Sequence, residues 1–277
     1  MSLSWRDRLH AVLTPRRVVL VRLAKGFGDR VVGKESLACP EPAPGEAPWQ
    51  PALATLAGAL PGRQWKHAEL RAILSNHFAH YLLIPWQEKL SGEDDLLALV
   101  RHRFTEVYGD AADDWEILWS EGKPPAPYLA CAVDRRLLVG LRDASSAAGL
   151  PLTSIRPYLL AAFNRWRREL DGRKDWFLLA EEGRLCLAWF REGEWAGVHC
   201  QSVGDGWGGE LPQILDRALL LAGRDAPPER LCIAAPEQSP GEMALADGWS
   251  GSLLKLPAVP GFSTADDAPY AMALNAA

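Results

Sequence analysis

No run in the 277 residues approaches the ~18 to 20 consecutive apolar side chains needed to cross a bilayer, and the N-terminus has no signal-peptide core. The sequence therefore reads as that of a cytoplasmic protein with no transmembrane segment of its own. A basic excess is also missing. Thirty Lys and Arg stand against 35 Asp and Glu, a formal charge of -5, and this argues against the positive footprint that nucleic-acid binding requires. The dense basic cluster Arg165-Trp166-Arg167-Arg168 fits the solvated face of a helix better than a phosphate site.

Cysteine is scarce. The five, Cys39, Cys131, Cys186, Cys200 and Cys232, form no CxxC and mostly sit in apolar strand-like runs, so they are expected to be reduced core residues rather than metal or redox groups. Ser75, Ser154 and Ser202 lack the elbow glycines of an activated nucleophile. His77 and His80, with His67 upstream, have no Cys or carboxylate at ligand spacing. On a strand the pair would point to opposite faces, so a hydrogen-bonded or surface pair is favoured over a metal site. Asp94-Asp95 and Asp113-Asp114 fall at a helix start and in a loop, where carboxylates meet the positive helix end or solvent. The twelve tryptophans follow no fixed period and read as packing anchors.

What is present is an ordinary globular mixture, 48% hydrophobic and 23% charged, long enough for two domains or one elaborate one. The most informative stretch is Tyr128–Leu170. A β-type run, Tyr128–Val133, passes through Asp134 into a helical pattern at Leu137, Leu138, Leu141 and Ala144, which Gly149-Leu150-Pro151 stops. A short strand, Leu152–Ile155, follows, and a second helix enters at Pro157 and runs to Leu170 with Leu159, Leu160, Phe163 and Trp166 on one side.

Upstream, Ser4–Leu13 has the spacing of a short amphipathic helix, and Arg16–Cys39 reads as a β-hairpin around Lys25-Gly26-Phe27-Gly28-Asp29. Those glycines suit a hairpin connection better than a phosphate loop. After the Pro-rich loop 40–49 come a helix over Gln50–Leu60 and two strands within Arg71–Pro85, around Ser75-Asn76-His77, that finish the first sheet. A helix spans Asp94–Tyr108, and strands are expected at Trp115–Trp119 and Tyr128–Val133. Together with the helix Arg135–Ala148 they make a small α+β unit. Downstream, Trp176–Ala180, Arg184–Phe190 and Trp195–Gln201 form a meander. The glycine-rich loop 203–209 leads into a helix near Leu211–Leu221, and strands close the pattern at Leu231–Ala235 and Leu253–Leu256.

The order strand, helix, Gly-Leu, strand, Pro, helix, carried by AVDRRLLVGLRDASSAAGLPLTSIRPYLLAAFNR, resembles the segment joining the two halves of actin-like proteins of the PilM and FtsA type, and SNHFAHYLLIPW resembles the same group. The resemblance implies a mixed α/β, actin-like fold: a first half over 1–156, with an inserted subdomain at about 86–156, and a second half over 157–277. It also sets an expectation for chemistry. In actin-like ATPases two β-hairpins, each with an acidic residue and a glycine, hold the phosphates and metal. At the first this chain has Arg22-Leu23-Ala24; at the second, Glu181-Glu182-Gly183; and for the adenine turn, Ala235-Pro236-Glu237-Gln238.

Hydrolysis is therefore not expected and no cofactor is implied. Residual ATP binding through Arg22, Lys25, Glu181, Gly183, Gly204, Gly206 and Gly208 stays open beside the plainer reading that these glycines serve a turn into a helix. By resemblance to PilM-like proteins and the cytoplasmic domain of the type II secretion protein L, the chain is expected to be a bacterial adaptor peripheral to the inner membrane. Its partner would be a membrane-anchored pilus or secretion assembly protein, or its cytoplasmic peptide, captured near Leu83, Ile84, Pro85, Trp86, Tyr128 and Leu129. The alternatives are a divergent ATP-binding ATPase or kinase using Glu181 and the 204–209 loop, and an unrelated two-domain α+β protein.

Overall fold

The computed structural model describes residues 6–26, 28–88, 92–120, 124–170, 175–223, 227–237, 245 and 248–276. In chain order these form β1 (Arg8–Leu13), β2 (Arg17–Leu23), β3 (Val31–Ala38), α1 (Gln50–Ala59), β4 (Glu69–Leu74), β5 (Ala79–Ile84), α2 (Glu93–Tyr108), β6 (Trp115–Trp119), β7 (Tyr128–Asp134), α3 (Arg135–Ala147), β8 (Leu152–Pro157) and α4 (Tyr158–Trp166). Then follow β9 (Asp175–Glu181), β10 (Arg184–Arg191), β11 (Glu194–Ser202), α5 (Trp207–Leu221), β12 (Arg230–Ala234), β13 (Gly251–Leu253) and α6 (Ala271–Asn275).

Two five-stranded sheets repeat one topology. The first has the order β3-β2-β1-β4-β8 and the second β11-β10-β9-β12-β13. In each, the central strand pairs antiparallel with the next strand of a meander and parallel with a strand reached through a helix; β1 lies between β2 and β4, and β9 between β10 and β12. Sequence explains the placement. Every residue of β9 is buried and β1 is buried from Leu9 to Leu13, as a strand covered on both faces requires continuous apolar character. The outer strand β3 alternates between more and less exposed positions, as an edge strand with one wet face does. In the second sheet α5 lays Trp207, Leu211, Ile214, Leu215 and Ala218 against Trp176, Leu178, Leu185 and Leu187, a helical stripe on one face of the strands.

The chain forms two compact units, one of residues 1–78, 135–165 and 255–277, the other of 79–134 and 166–254. This differs from the division expected at residue 156. The C-terminal segment belongs with the first sheet because its polar groups are satisfied there. His10 Nδ1 donates to the Ala273 carbonyl at 2.9 Å, Asn275 Nδ2 donates to the Tyr158 hydroxyl at 2.7 Å, and the Val31 N–H donates to the Pro260 carbonyl at 2.8 Å. Lys34 pairs with Asp267, whose carboxyl is held below the usual carboxylate range by that lysine and by the Ser263 N–H.

Other expectations are corrected by pairing. The helix expected over Ser4–Leu13 is replaced, in its described part, by β1; Leu9, Ala11, Val12 and Leu13 are apolar on consecutive faces, and partners on both sides decide the conformation. The strand after Ser75-Asn76-His77 does not finish the first sheet but forms the edge of a three-stranded sheet, β5-β7-β6, covered by Val100 and Phe104 of α2. The helix α3 packs with α1 in the first unit rather than within the small α+β unit. The helix after Pro157 stops at Trp166, short of Leu170. Cys186 and Cys200 face each other across β10 and β11 and form a disulfide, so the expectation of five reduced cysteines fails at this pair.

Two outcomes follow. Burial, with the nearby charges of Arg8 and Arg71, pushes His10 down to about 4. The unfolded chain thus takes up protons below about 6.5 that the native state refuses, so stability is full above that pH and falls toward pH 4, by up to ~1.4 kcal/mol per pH unit for this group. In urea titrations at pH 7 and pH 4.5, His10→Asn should show a smaller pH-dependent loss than the wild type; equal losses would contradict this. Gly261 has φ +82, and a Cβ there would stand 2.3 Å from the Val31 carbonyl oxygen. Gly261→Ala should therefore cost ~2 kcal/mol or more in the same assay.

Candidate functional site

The topology identifies the two turns that correspond. Each joins a central strand to its antiparallel neighbour: residues 14–16 between β1 and β2, and 182–183 between β9 and β10. The station assigned to Arg22-Leu23-Ala24 was one hairpin too late. At ~3.3 Å per residue, Arg22 lies ~17 Å along β2 from Arg17, at the opposite end of the sheet.

In the first turn Thr14 N–H donates to the Arg17 carbonyl at 3.0 Å, and Thr14 Oγ1 accepts the Arg17 N–H at 3.1 Å. The turn Thr14-Pro15-Arg16-Arg17 contains neither a carboxylate nor a glycine. The departure from the ATPase pattern therefore persists, with different residues. The turn offers no carboxylate for a metal.

Arg22 and Lys25 instead line an open groove of about 490 Å³ in the first unit with Asp7, Arg30 and Gln64. Arg22 Nε donates to Asp7 at 2.8 Å and another of its nitrogens donates to the Gln64 carbonyl, while the Lys25 backbone N–H donates to Asp7 at 3.0 Å. Partial burial works against the charge of Asp7, but the Lys25 N–H and the Arg22 guanidinium hold its carboxyl below the usual range. The guanidinium is thus committed to binding the start of β1 to the end of β2.

In the second unit Glu181, Gly183 and Gly204 do come together, because the Val203 N–H donates to the Gly183 carbonyl at 3.1 Å and so ties the loop after β11 to the turn before β10. Gly183 takes φ +75, which the turn requires and a side chain would resist. Their cleft, about 190 Å³, is also lined by Glu182, Asp205 and Glu237. Four carboxylates around so small a space oppose a triphosphate, and drug-sized ligand sites start at ~300 Å³. Gly206 and Gly208 do not line it; the first precedes α5 and the second is buried in its first turn. Among the described residues no three His, Cys, Asp or Glu are grouped to hold a metal. Asp205 lies in the 204–209 loop and Glu237 in the 235–238 stretch singled out from sequence, but only the fold brings their carboxylates to this turn. Gln238 of the expected adenine turn lies outside the described residues.

The expected partner residues occupy one end of the β5–β7 pair, where Leu83 stands opposite Leu129 and Ile84 opposite Tyr128. They divide between two faces. Ile84 and Tyr128 join the α2 side with Phe104 and Trp115, whereas Leu83 and Leu129 point to the other. Ile84 and Leu129 are buried, Pro85 is exposed, and Leu83, Trp86 and Tyr128 are half-buried. Leu118 on the edge strand β6, opposite Cys131 and hence on the Leu83 face, is 70% exposed. Sequence reading missed it, although the alternation in Trp-Glu-Ile-Leu-Trp carries the signal. His77 and His80 fall in different units. His80 stacks on Trp115 with ring centroids 4.0 Å apart, and burial with the charge of Arg184 pushes it down to about 4.

No family model matches the sequence, and no curated protein matches it either. Solved structures do. The cytoplasmic domain of EpsL, an inner membrane component of the type II secretion system of Vibrio cholerae, aligns over 97% of this chain and 92% of its own with TM-score 0.63 at 10% identity. A PilM-PilN type IV pilus biogenesis complex aligns over 97% of this chain and 96% of its own with TM-score 0.66 at 15% identity. A Bacteroides thetaiotaomicron protein of unknown function and actin-like ATPase fold aligns over 83% and 82% with TM-score 0.53 at 8% identity. With its twice-repeated sheet and its length matched almost throughout by such structures, the chain has the actin-like ATPase fold.

Proposed function

We propose that this chain is a non-catalytic actin-like scaffold of a type IV pilus or type II secretion assembly, docking a membrane-anchored partner or its cytoplasmic peptide at the cytoplasmic face of the inner membrane. The observation that carries the reading is the turn Thr14–Arg17, which stands where a phosphate-gripping hairpin would and holds neither acid nor glycine. The acidic cleft at Glu181, Glu182, Asp205 and Glu237 supports it, since a site crowded with carboxylates disfavours nucleotide. The likeness to a PilM-PilN complex and to a secretion component's cytoplasmic domain supports an adaptor role.

The docking surface in this reading is the β6 edge and the strand end of the small sheet, where Leu118 is exposed and Leu83 and Trp86 are half-buried. An edge strand beside apolar side chains suits an extended or strand-adding peptide. The test is capture of the cytoplasmic segments of membrane-anchored pilus and secretion proteins encoded beside this chain. Leu83→Glu and Trp86→Ala, checked for unchanged melting temperature, should each weaken that capture ~30-fold, the scale of an interface anchor at ~2 kcal/mol. Capture unaffected by either substitution, or none with any such segment, would contradict the reading.

A further inference from the structure

The second unit has another cavity, of about 190 Å³, whose chemistry differs from the acidic cleft. His80 and Tyr108 form one wall; Arg184, Val198, His199 and Cys200 form the other. None of the residues lining it is Asp or Glu. Its aromatic wall is rigid, because His80 lies flat on Trp115 and within 4.9 Å of the Tyr108 ring centroid. Its other wall is tied by the Cys186–Cys200 disulfide and by the contact between His199 Nε2 and Gln201 Oε1 at 3.2 Å.

Arg184 is the decisive group. It opens β10 and stands opposite Glu181 and Ser202 in register, yet it makes no ion pair among the described residues, and its Nε is buried without a hydrogen-bond partner there. The carboxylate of Glu181 lines the separate acidic cleft. Burial, joined by the charge of Arg184 across the cavity, lowers the proton affinity of His80. The flanking groups add mainly N–H and O–H donors, a neutral imidazole and a phenol, rather than a negative charge.

Such a set fits an anion, and its charge selects which kind. One guanidinium presents the paired N–H fork that a carboxylate accepts side-on, and its single positive charge balances a single negative one. A phosphate dianion would be left with excess charge in a partly enclosed space.

We propose that this cavity is a binding site for a small free carboxylate, gripped by the two terminal guanidinium nitrogens of Arg184 and flanked by the Tyr108 hydroxyl and the imidazoles of His80 and His199. It is independent of the docking surface and of the nucleotide question, so a failure here leaves both untouched.

The experiment follows the imidazole carbon–proton resonances of the six histidines in the full chain, titrated at pH 7 with sodium acetate or sodium phosphate against sodium chloride of matched ionic strength. Acetate should shift His80 and His199 saturably and leave His67 and His102, which do not line the cavity, unmoved. Arg184→Met should weaken the response at least tenfold with the fold retained. Should that variant not fold, Tyr108→Phe serves instead and should weaken it about threefold or more. Uniform non-saturating shifts of all histidines, a response undiminished in the folded variant tested, or phosphate binding more tightly than acetate would overturn the proposal.

Discussion

The structure depends on a central strand buried on both faces, used twice. β1 and β9 each carry a continuous apolar run that only an interior position can accommodate, and each is flanked by an antiparallel meander on one side and by parallel strands on the other. Once that strand is fixed, the helix crossover, the order of the remaining strands and the placement of the hairpin turns follow. The turn at the end of each central strand is consequently the point at which chemistry could be installed without disturbing the core. In this chain Thr14-Pro15-Arg16-Arg17 occupies one such point and Glu181-Glu182-Gly183-Arg184 the other.

These two turns differ in electrostatic character. The first is hydrogen-bonded to itself through Thr14 and Arg17 and carries no carboxylate. The second opens onto a cleft enriched in carboxylates by contributions from the loop after β11 and from the end of β12. A triphosphate with its metal asks for the opposite distribution: a carboxylate to place the ion, and close donors for the phosphate oxygens. Arg16 and Arg17 lie in the first turn itself, which holds no carboxylate to place the ion, and Arg22 is occupied by Asp7 and by the Gln64 carbonyl at the far end of the strands.

Much of this was legible in sequence where local signals are strong. The meander from Trp176 to Gln201 could be read because tight glycine-bearing turns separate runs of strand-forming residues, with Gly183 and Gly193 at positive φ. The helix ending at Tyr108 and the Gly149 stop were likewise local. What failed depended on partners distant in the chain. Ser4–Leu13 has a helical spacing that only pairing with β2 and β4 overrides, and this pairing sets the first hairpin one strand earlier than the local pattern implies. The return of residues 255–277 to the first sheet had no sequence signature, since its anchors are His10 and Tyr158, far upstream. The acidity of the cleft at Glu181, Gly183 and Gly204, which depends on Asp205 and Glu237, required the fold.

The claim at the centre is that an actin-type scaffold persists here without the groups that grip a metal-bound triphosphate. Isothermal titration calorimetry of the full chain with Mg-ATP addresses it most directly. The account predicts no saturable heat up to millimolar nucleotide; saturable, magnesium-dependent binding that disappears in Glu181→Ala would contradict it.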